Sequence, residues 1–276
     1  MKFLSASLVA IASLACATSA LAGTSSLSPL HVYVAGSGAN ALAAMAKAYT
    51  ASTGQTVDIV KGPAGQLRQR IEHGADADVY ISADMANPQA LAARGKSKPP
   101  VILARNTLCV LARKDVRLTA DNMLNRLLDP AVSIGTSTPG NDPGGDYARA
   151  VFAKADSIQP GARSILVGKA RQLVGGAVAP SVPANTNPVN YFLLSRKVDV
   201  FFSYCSSKGT LADPALVSVA IPADLTVPVD YGMTVLLHAN DVPRQVAAER
   251  FARYLMSPVA QHALVGSGLI PVVGNQ

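Results

Sequence analysis

The chain has 276 residues, with 24 lysines and arginines against 17 acidic residues, a net charge of +7, and 49% hydrophobic residues. Positive charge favours the approach of anions without identifying one. The basic residues are scattered, tryptophan is absent and aromatics make up 5% of the chain, which argues against a nucleic-acid surface.

The N-terminus, MKFLSASLVAIASLACATSALAG, carries one lysine, an apolar run and then Ala20-Leu21-Ala22, the small-residue pattern that a signal peptidase cuts. Residues 1–22 are therefore expected to be a signal peptide cleaved after Ala22, leaving an exported, periplasmic chain of about 250 residues. The run is too short for a permanent anchor, and nothing later reaches the roughly 18 apolar residues a span needs. Lipoprotein processing at Cys16 would want leucine where Ser13 stands, so no lipid anchor is expected. Cys109 and Cys205 remain, both in apolar strand-like segments. Export permits a disulfide, cysteine also packs as a small hydrophobe, and the sequence leaves open whether the two meet. A zinc site would want more ligands.

Strand-like and helix-like segments then alternate: strand 31–35, helix 39–52, strand 56–60, helix 64–73, strand 78–81, helix 85–94. Such alternation predicts an α/β fold with a parallel sheet, and ligands at the carboxyl ends of its strands. A second series has strands at 108–112, 132–135, 198–204 and 217–221, with helices at 119–128, 144–154 and 187–196. Residues 173–188, rich in glycine, proline and asparagine, read as a functional loop. A late strand, 231–238, and helix, 243–256, fit best as a completion of the first unit. Two lobes follow, 27–105 with 229–276 and 106–228, linked by crossing strands with a cleft between them.

Four small-residue junctions between strand and helix are candidate anion cradles. In Gly36-Ser37-Gly38, Ser37 stands at a helix start, where unpaired N–H groups and partial positive charge can receive an anion; the plain alternative is an N-cap. Lys61-Gly62-Pro63-Ala64-Gly65 is similar. In GTSTPGNDPGGDY, 135–147, Pro143 needs no N–H partner, so Gly144, Gly145 and Asp146 are expected to present free N–H groups. The fourth is Phe202 to Ser207, at the end of an apolar strand. A catalytic group is not visible: there is no G-x-S-x-G elbow, H-E-x-x-H helix or phosphate-loop lysine, and the four histidines stand in unrelated contexts. Gly36 to Ala41 matches G-x-G-x-x-A, but the next strand ends in Val60-Lys61 without the acidic residue a dinucleotide site expects.

Together these segments resemble the periplasmic molybdate-binding proteins that serve ABC importers, within the type II periplasmic substrate-binding protein superfamily. The strongest element is Gly74-Ala75-Asp76-Ala77-Asp78-Val79-Tyr80-Ile81-Ser82-Ala83-Asp84, close to that family's G-A-x-A-D-hydrophobic-hydrophobic-I-S-A-D segment; Pro143 to Tyr147, the strand ending in Tyr204, and Tyr254 to Gln261 add to it. The resemblance implies a two-lobed fold, mixed sheets with helices on both faces and a hinge between lobes. It implies no enzyme and no cofactor: a monomeric receptor holds a tetrahedral oxyanion, molybdate or tungstate first, and hands it to an ABC permease.

Carried onto this chain, the donors would be Ser37, the backbone at Ala64 and Gly65, the backbone at Gly144 or Gly145, the helix start near Asn187, and the Tyr204 hydroxyl. A dry site of neutral dipoles suits a dianion. Two departures stand out. Pro63 and Ala64 occupy positions where family members usually have serines, and Asp142 and Asp146 bring carboxylates near the anion. The alternative is a carrier for a metal ion or chelate such as ferric iron, with Tyr147, Tyr204, Tyr231 and Asp146 as oxygen ligands.

Overall fold

A computed structural model describes residues 28–177, 179–210 and 213–272; the expected signal peptide lies outside them. From the N-terminus, β1 (Leu30–Ala35), α1 (Ala39–Thr53), β2 (Val57–Gly62), α2 (Ala64–Glu72), β3 (Val79–Ser82) and α3 (Ala86–Ala93) form the expected alternating run, and β4 (Val101–Asn106) follows. The second series is β5 (Leu108–Arg113), α4 (Met123–Leu128), β6 (Ile134–Ser137), α5 (Pro143–Ile158), α6 (Ala162–Lys169), β7 (Ala170–Val174), α7 (Pro188–Leu194), β8 (Val200–Tyr204) and β9 (Leu216–Ala220). The chain closes through β10 (Val229–Val235), α8 (Val242–Leu255), α9 (Pro258–Gly266) and β11 (Ile270–Pro271).

The strands form two sheets, ordered β11-β4-β10-β3-β1-β2 and β7-β6-β8-β5-β9. β1 pairs in parallel with β2 and β3, whereas β10 runs antiparallel between β3 and β4, so the first sheet is mixed. The second is mixed too: β6 is parallel to β7 and β8, and β5 antiparallel to β8 and β9. β1, β3 and β5 are almost wholly buried, as strands covered by helices on both faces must be. Tyr49 of α1 packs edge-on against Phe251 of α8 at 4.9 Å in the first lobe, and Phe152 of α5 against Phe202 of β8 at 5.2 Å in the second. Cys109 of β5 and Cys205, just past β8, are joined in a disulfide.

The Gly74 to Asp84 segment is architectural. Asp78 is fully buried; its Oδ2 accepts the His31 N–H at 2.7 Å and its Oδ1 the Arg244 Nε–H at 2.5 Å, with His238 Nε2 2.9 Å away. A buried carboxylate needs such partners, and these tie β3 to β1 and α8. Asp84 accepts the Asn87 N–H and the Ser82 hydroxyl, fixing the start of α3.

Several elements depart from the sequence reading. β4, β7, α6, α9 and β11 were not anticipated. β7 and β11 are edge strands, and β11, at two residues, is too short for a periodic signal. The last helix is two, because Ser257 caps a new one and Pro258 starts it where no N–H is needed.

Candidate functional site

A cleft of about 1090 Å³ runs between the two sheets at the ends of β1, β2, β6 and β8. Ser37, Ala64, Gly144, Asn187 and Tyr204 line it. Lys61 stands exposed at its rim.

Ser37 lies in a single 3-10 turn, Gly36–Gly38, between β1 and α1, and its side chain caps neither element. Its Oγ accepts a 2.7 Å hydrogen bond from the Tyr231 hydroxyl. That hydroxyl oxygen accepts from Asn106 Nδ2 at 3.3 Å, and the same amide donates to Ser206 Oγ at 2.9 Å. Tyr231 thus spends its one proton on Ser37, and the Ser37 proton is left to be donated into the cleft. Burial pushes the Tyr231 hydroxyl up to about 12, so it stays a neutral donor.

Tyr204 is 7% exposed, and its hydroxyl has no hydrogen-bond partner among the described residues. Burial above all, then the Tyr231 hydroxyl and the Asp142 charge, keeps it from ionising. Its ring is held edge-on by Tyr147 at 6.3 Å and Tyr231 at 5.9 Å. An unpaired buried hydroxyl costs roughly 1–3 kcal/mol, a debt that a ligand accepting its proton removes.

Among the remaining expected donors, the N–H groups of Gly65, Gly144 and Gly145 and those at the start of α7 are already bonded within the protein. Gly65 does not line the cleft; its N–H donates to Asn141 O of the second lobe at 2.9 Å. The start of α5 is closed by its own cap, since Gly144 N–H donates to Asp142 Oδ1 and Gly145 N–H to Asp142 O, both at 2.9 Å. Asn187 caps α7 in the same way, accepting from the Val189 and Asn190 N–H groups. At α5 and α7 the polar residue just ahead of the helix takes the N–H groups expected to face the ligand. Ala64, by contrast, heads α2 after Pro63 with no side-chain cap.

Of the oxygen ligands of the metal alternative, the Tyr147, Tyr204 and Tyr231 rings are neighbours, with Tyr204 6.3 Å from Tyr147 and 5.9 Å from Tyr231, whereas Asp146 stands apart. Asp146 is exposed and outside the cleft lining, where it accepts the Gly140 N–H with both oxygens at 3.1 Å. Tyr147 donates its hydroxyl to Ala83 O at 3.0 Å. Among the described residues no group of three or more His, Cys, Asp or Glu could hold a metal ion.

Asp142 does line the cleft. Burial raises its carboxyl to about 6, with the charges of Asp146 and Asp84 acting in the same direction and the Gly144 N–H opposing them. Asn106 escaped the sequence reading as part of the site's support, whereas its partner Ser206 lies within the fourth expected cradle. The available signal was a polar residue closing a strand where the chain crosses from one unit to the other.

A sequence profile described as "Bacterial extracellular solute-binding protein" matches residues 30–270. An uncharacterized protein of Pasteurella multocida, PM1146, is 35% identical over 177 residues, which are 63% of this chain and 73% of that protein. The periplasmic molybdate-binding protein of Azotobacter vinelandii shares the fold at a TM-score of 0.65 and 21% identity, over 90% of this chain and all of that one. Iron-bound HitA of Pseudomonas aeruginosa does so at 0.63 and 20%, over 90% and 88%.

Proposed function

Because the chain belongs to the bacterial extracellular solute-binding proteins, whose members are non-enzymatic transport components, we propose that it captures a tetrahedral oxyanion between its lobes and delivers it to an ABC permease in the membrane. The observation that carries this reading is the pair of neutral donors in one cleft. The Tyr204 hydroxyl is buried with no partner among the described residues, and the Tyr231 bond leaves the Ser37 hydroxyl its proton. Neutral O–H and N–H dipoles share an anion's charge without a buried counter-ion. The uncapped start of α2 at Ala64 supplies a further backbone dipole, and Lys61 at the rim draws anions in.

The resemblance in sequence puts molybdate and tungstate first among candidates, and the Azotobacter protein, which binds molybdate, has the same fold. Sulfate and phosphate present the same tetrahedron of acceptors. The N-terminal sequence and the family support export; no helix of the described residues is long and apolar enough to cross a membrane.

The test is thermal unfolding of the mature protein with molybdate, tungstate, sulfate and phosphate. A ligand at a hundred times its Kd stabilises by about 2.7 kcal/mol, a shift of several degrees. No shift with any of the four refutes the reading.

A further inference from the structure

A carboxylate in an anion receptor's cleft repels an anion that brings no proton to it. Three carboxylates act on this corner of the molecule: Asp84, Asp142 and Asp146. Two of them are satisfied elsewhere. Asp84 holds the Ser82 hydroxyl at 2.8 Å, the Asn87 N–H at 3.0 Å and the Asn87 side-chain amide at 2.8 Å, and Asp146 holds the Gly140 N–H. Asp142 differs. Its Oδ1 caps α5 through Gly144 N–H, while its Oδ2 makes no hydrogen bond among the described residues, and the residue lines the cleft with Tyr204 and Ser37.

Building on the oxyanion reading, we propose that Asp142 is a specificity-determining residue: its free oxygen accepts a hydrogen bond from the ligand, which selects a hydrogen-bearing tetrahedral oxyanion such as hydrogenphosphate over molybdate, tungstate or sulfate. The argument is one of acceptors and donors. Hydrogenphosphate keeps a proton at neutral pH and meets a carboxylate with a charge-assisted bond; the other three are fully deprotonated and meet it as one negative charge meets another. Tyr204 and Ser37 then serve the ligand's remaining oxygens, which accept. A pocket that donates on one side and accepts on the other discriminates by leaving the wrong anion with an unpaired, repelled oxygen. Asp142 is partly buried at the cleft wall, where its carboxyl is raised above the usual carboxylate range by desolvation.

Asp142→Asn is the informative substitution. The asparagine oxygen retains the cap on Gly144, because asparagine is as good an N-cap as aspartate, and the amide nitrogen turns the acceptor in the cleft into a donor. Calorimetric titration of the mature protein and of Asp142→Asn with inorganic phosphate, molybdate, tungstate and sulfate at neutral pH separates the outcomes. The expected result is that the wild type prefers phosphate by roughly tenfold or more, and that the variant loses phosphate affinity while gaining affinity for the deprotonated anions, so that the preference inverts. A wild type that binds molybdate, tungstate or sulfate more tightly than phosphate overturns the inference while leaving the oxyanion reading standing. So does an unchanged ratio in a variant whose circular dichroism and melting show it folded. If the variant does not fold, the wild-type ratio decides alone. Failure of the wild type to bind any of the four overturns the oxyanion reading and the inference with it.

Discussion

Gly65→Ala probes how the lobes meet. A Cβ at Gly65 would lie 2.2 Å from Gly140 O and 2.9 Å from the Cα and O of Asn141, all backbone of the opposite lobe. Backbone cannot rotate away as a side-chain tip does, so the lobes must separate by roughly 1 Å to reach ordinary contact. The hydrogen bond from Gly65 N–H to Asn141 O, now 2.9 Å, then stretches beyond useful range. Two others that bridge the lobes, Gln66 Nε2–H to Gly175 O at 2.8 Å and Tyr147 O–H to Ala83 O at 3.0 Å, lengthen with it. At about 1 kcal/mol for each neutral bond, the loss is about 1–3 kcal/mol of closure energy, a fall in ligand affinity of roughly fivefold to a hundredfold. Calorimetry with a bound anion gives the affinity, and small-angle scattering with saturating anion gives the radius of gyration. Gly168→Ala on α6, with no atom within 4 Å of the added Cβ, is the control and should leave both unchanged. A Gly65→Ala protein that binds with wild-type affinity and closes to the wild-type radius would refute the reasoning.

The other expectations concern the same cleft and its frame. Ser37→Ala should weaken anion binding by about 1–3 kcal/mol and also lower the unfolding midpoint of the empty protein, because the buried Tyr231 hydroxyl loses its acceptor, read by titration and melting. Tyr204→Phe should move two quantities in opposite directions: affinity falls, while the empty protein becomes no less stable, because the hydroxyl removed was buried with no partner among the described residues. Asp142 titrates near 6 in the folded protein and near 3.9 when unfolded. The folded state therefore holds the extra proton between those values, and stability present below about pH 4 is lost as pH rises through about 6, to a total of about 3 kcal/mol. Urea melts across that range should show a steeper slope in the wild type than in Asp142→Asn, where Asp146, also raised by burial, still contributes; equal slopes would reject it. Reducing Cys109–Cys205, which closes a loop across a sequence separation of 96, should cost about 4 kcal/mol of unfolding free energy, measured by urea melts with and without reductant.

Much of the architecture was legible because its signal is local. Buried parallel strands read as apolar runs, and β1 to α3 fall within about two residues of their expected bounds. The small-residue junctions correctly marked the strand ends that form the cleft. Hydrogen-bond ownership was not legible. That Gly144 and Asn187 lie at helix starts is written in the sequence, but whether a helix start is open depends on the rotamer of Asp142 or Asn187 itself. Ser37 shows the reverse case. It stands where serine commonly caps, yet its oxygen is claimed by Tyr231, 194 residues away, a pairing that exists only once the sheet has formed. The Gly74 to Asp84 segment was the strongest mark of kinship, and its buried Asp78 serves the scaffold rather than the cleft.

The position of β10 has a consequence for the order in which the protein can be made. This strand, contributed by residues 229–235, is not an edge: it lies between β3 and β4, which have no ladder to each other without it. A nascent chain that has emerged as far as β9 carries the first lobe with a slot in its sheet, and Asp78 buried there would still lack Arg244 and His238. The N-terminal half therefore cannot reach its final state ahead of the C-terminal half, and pairings of such long sequence separation fold slowly. The first sheet thus stays incomplete until the last quarter of the chain arrives.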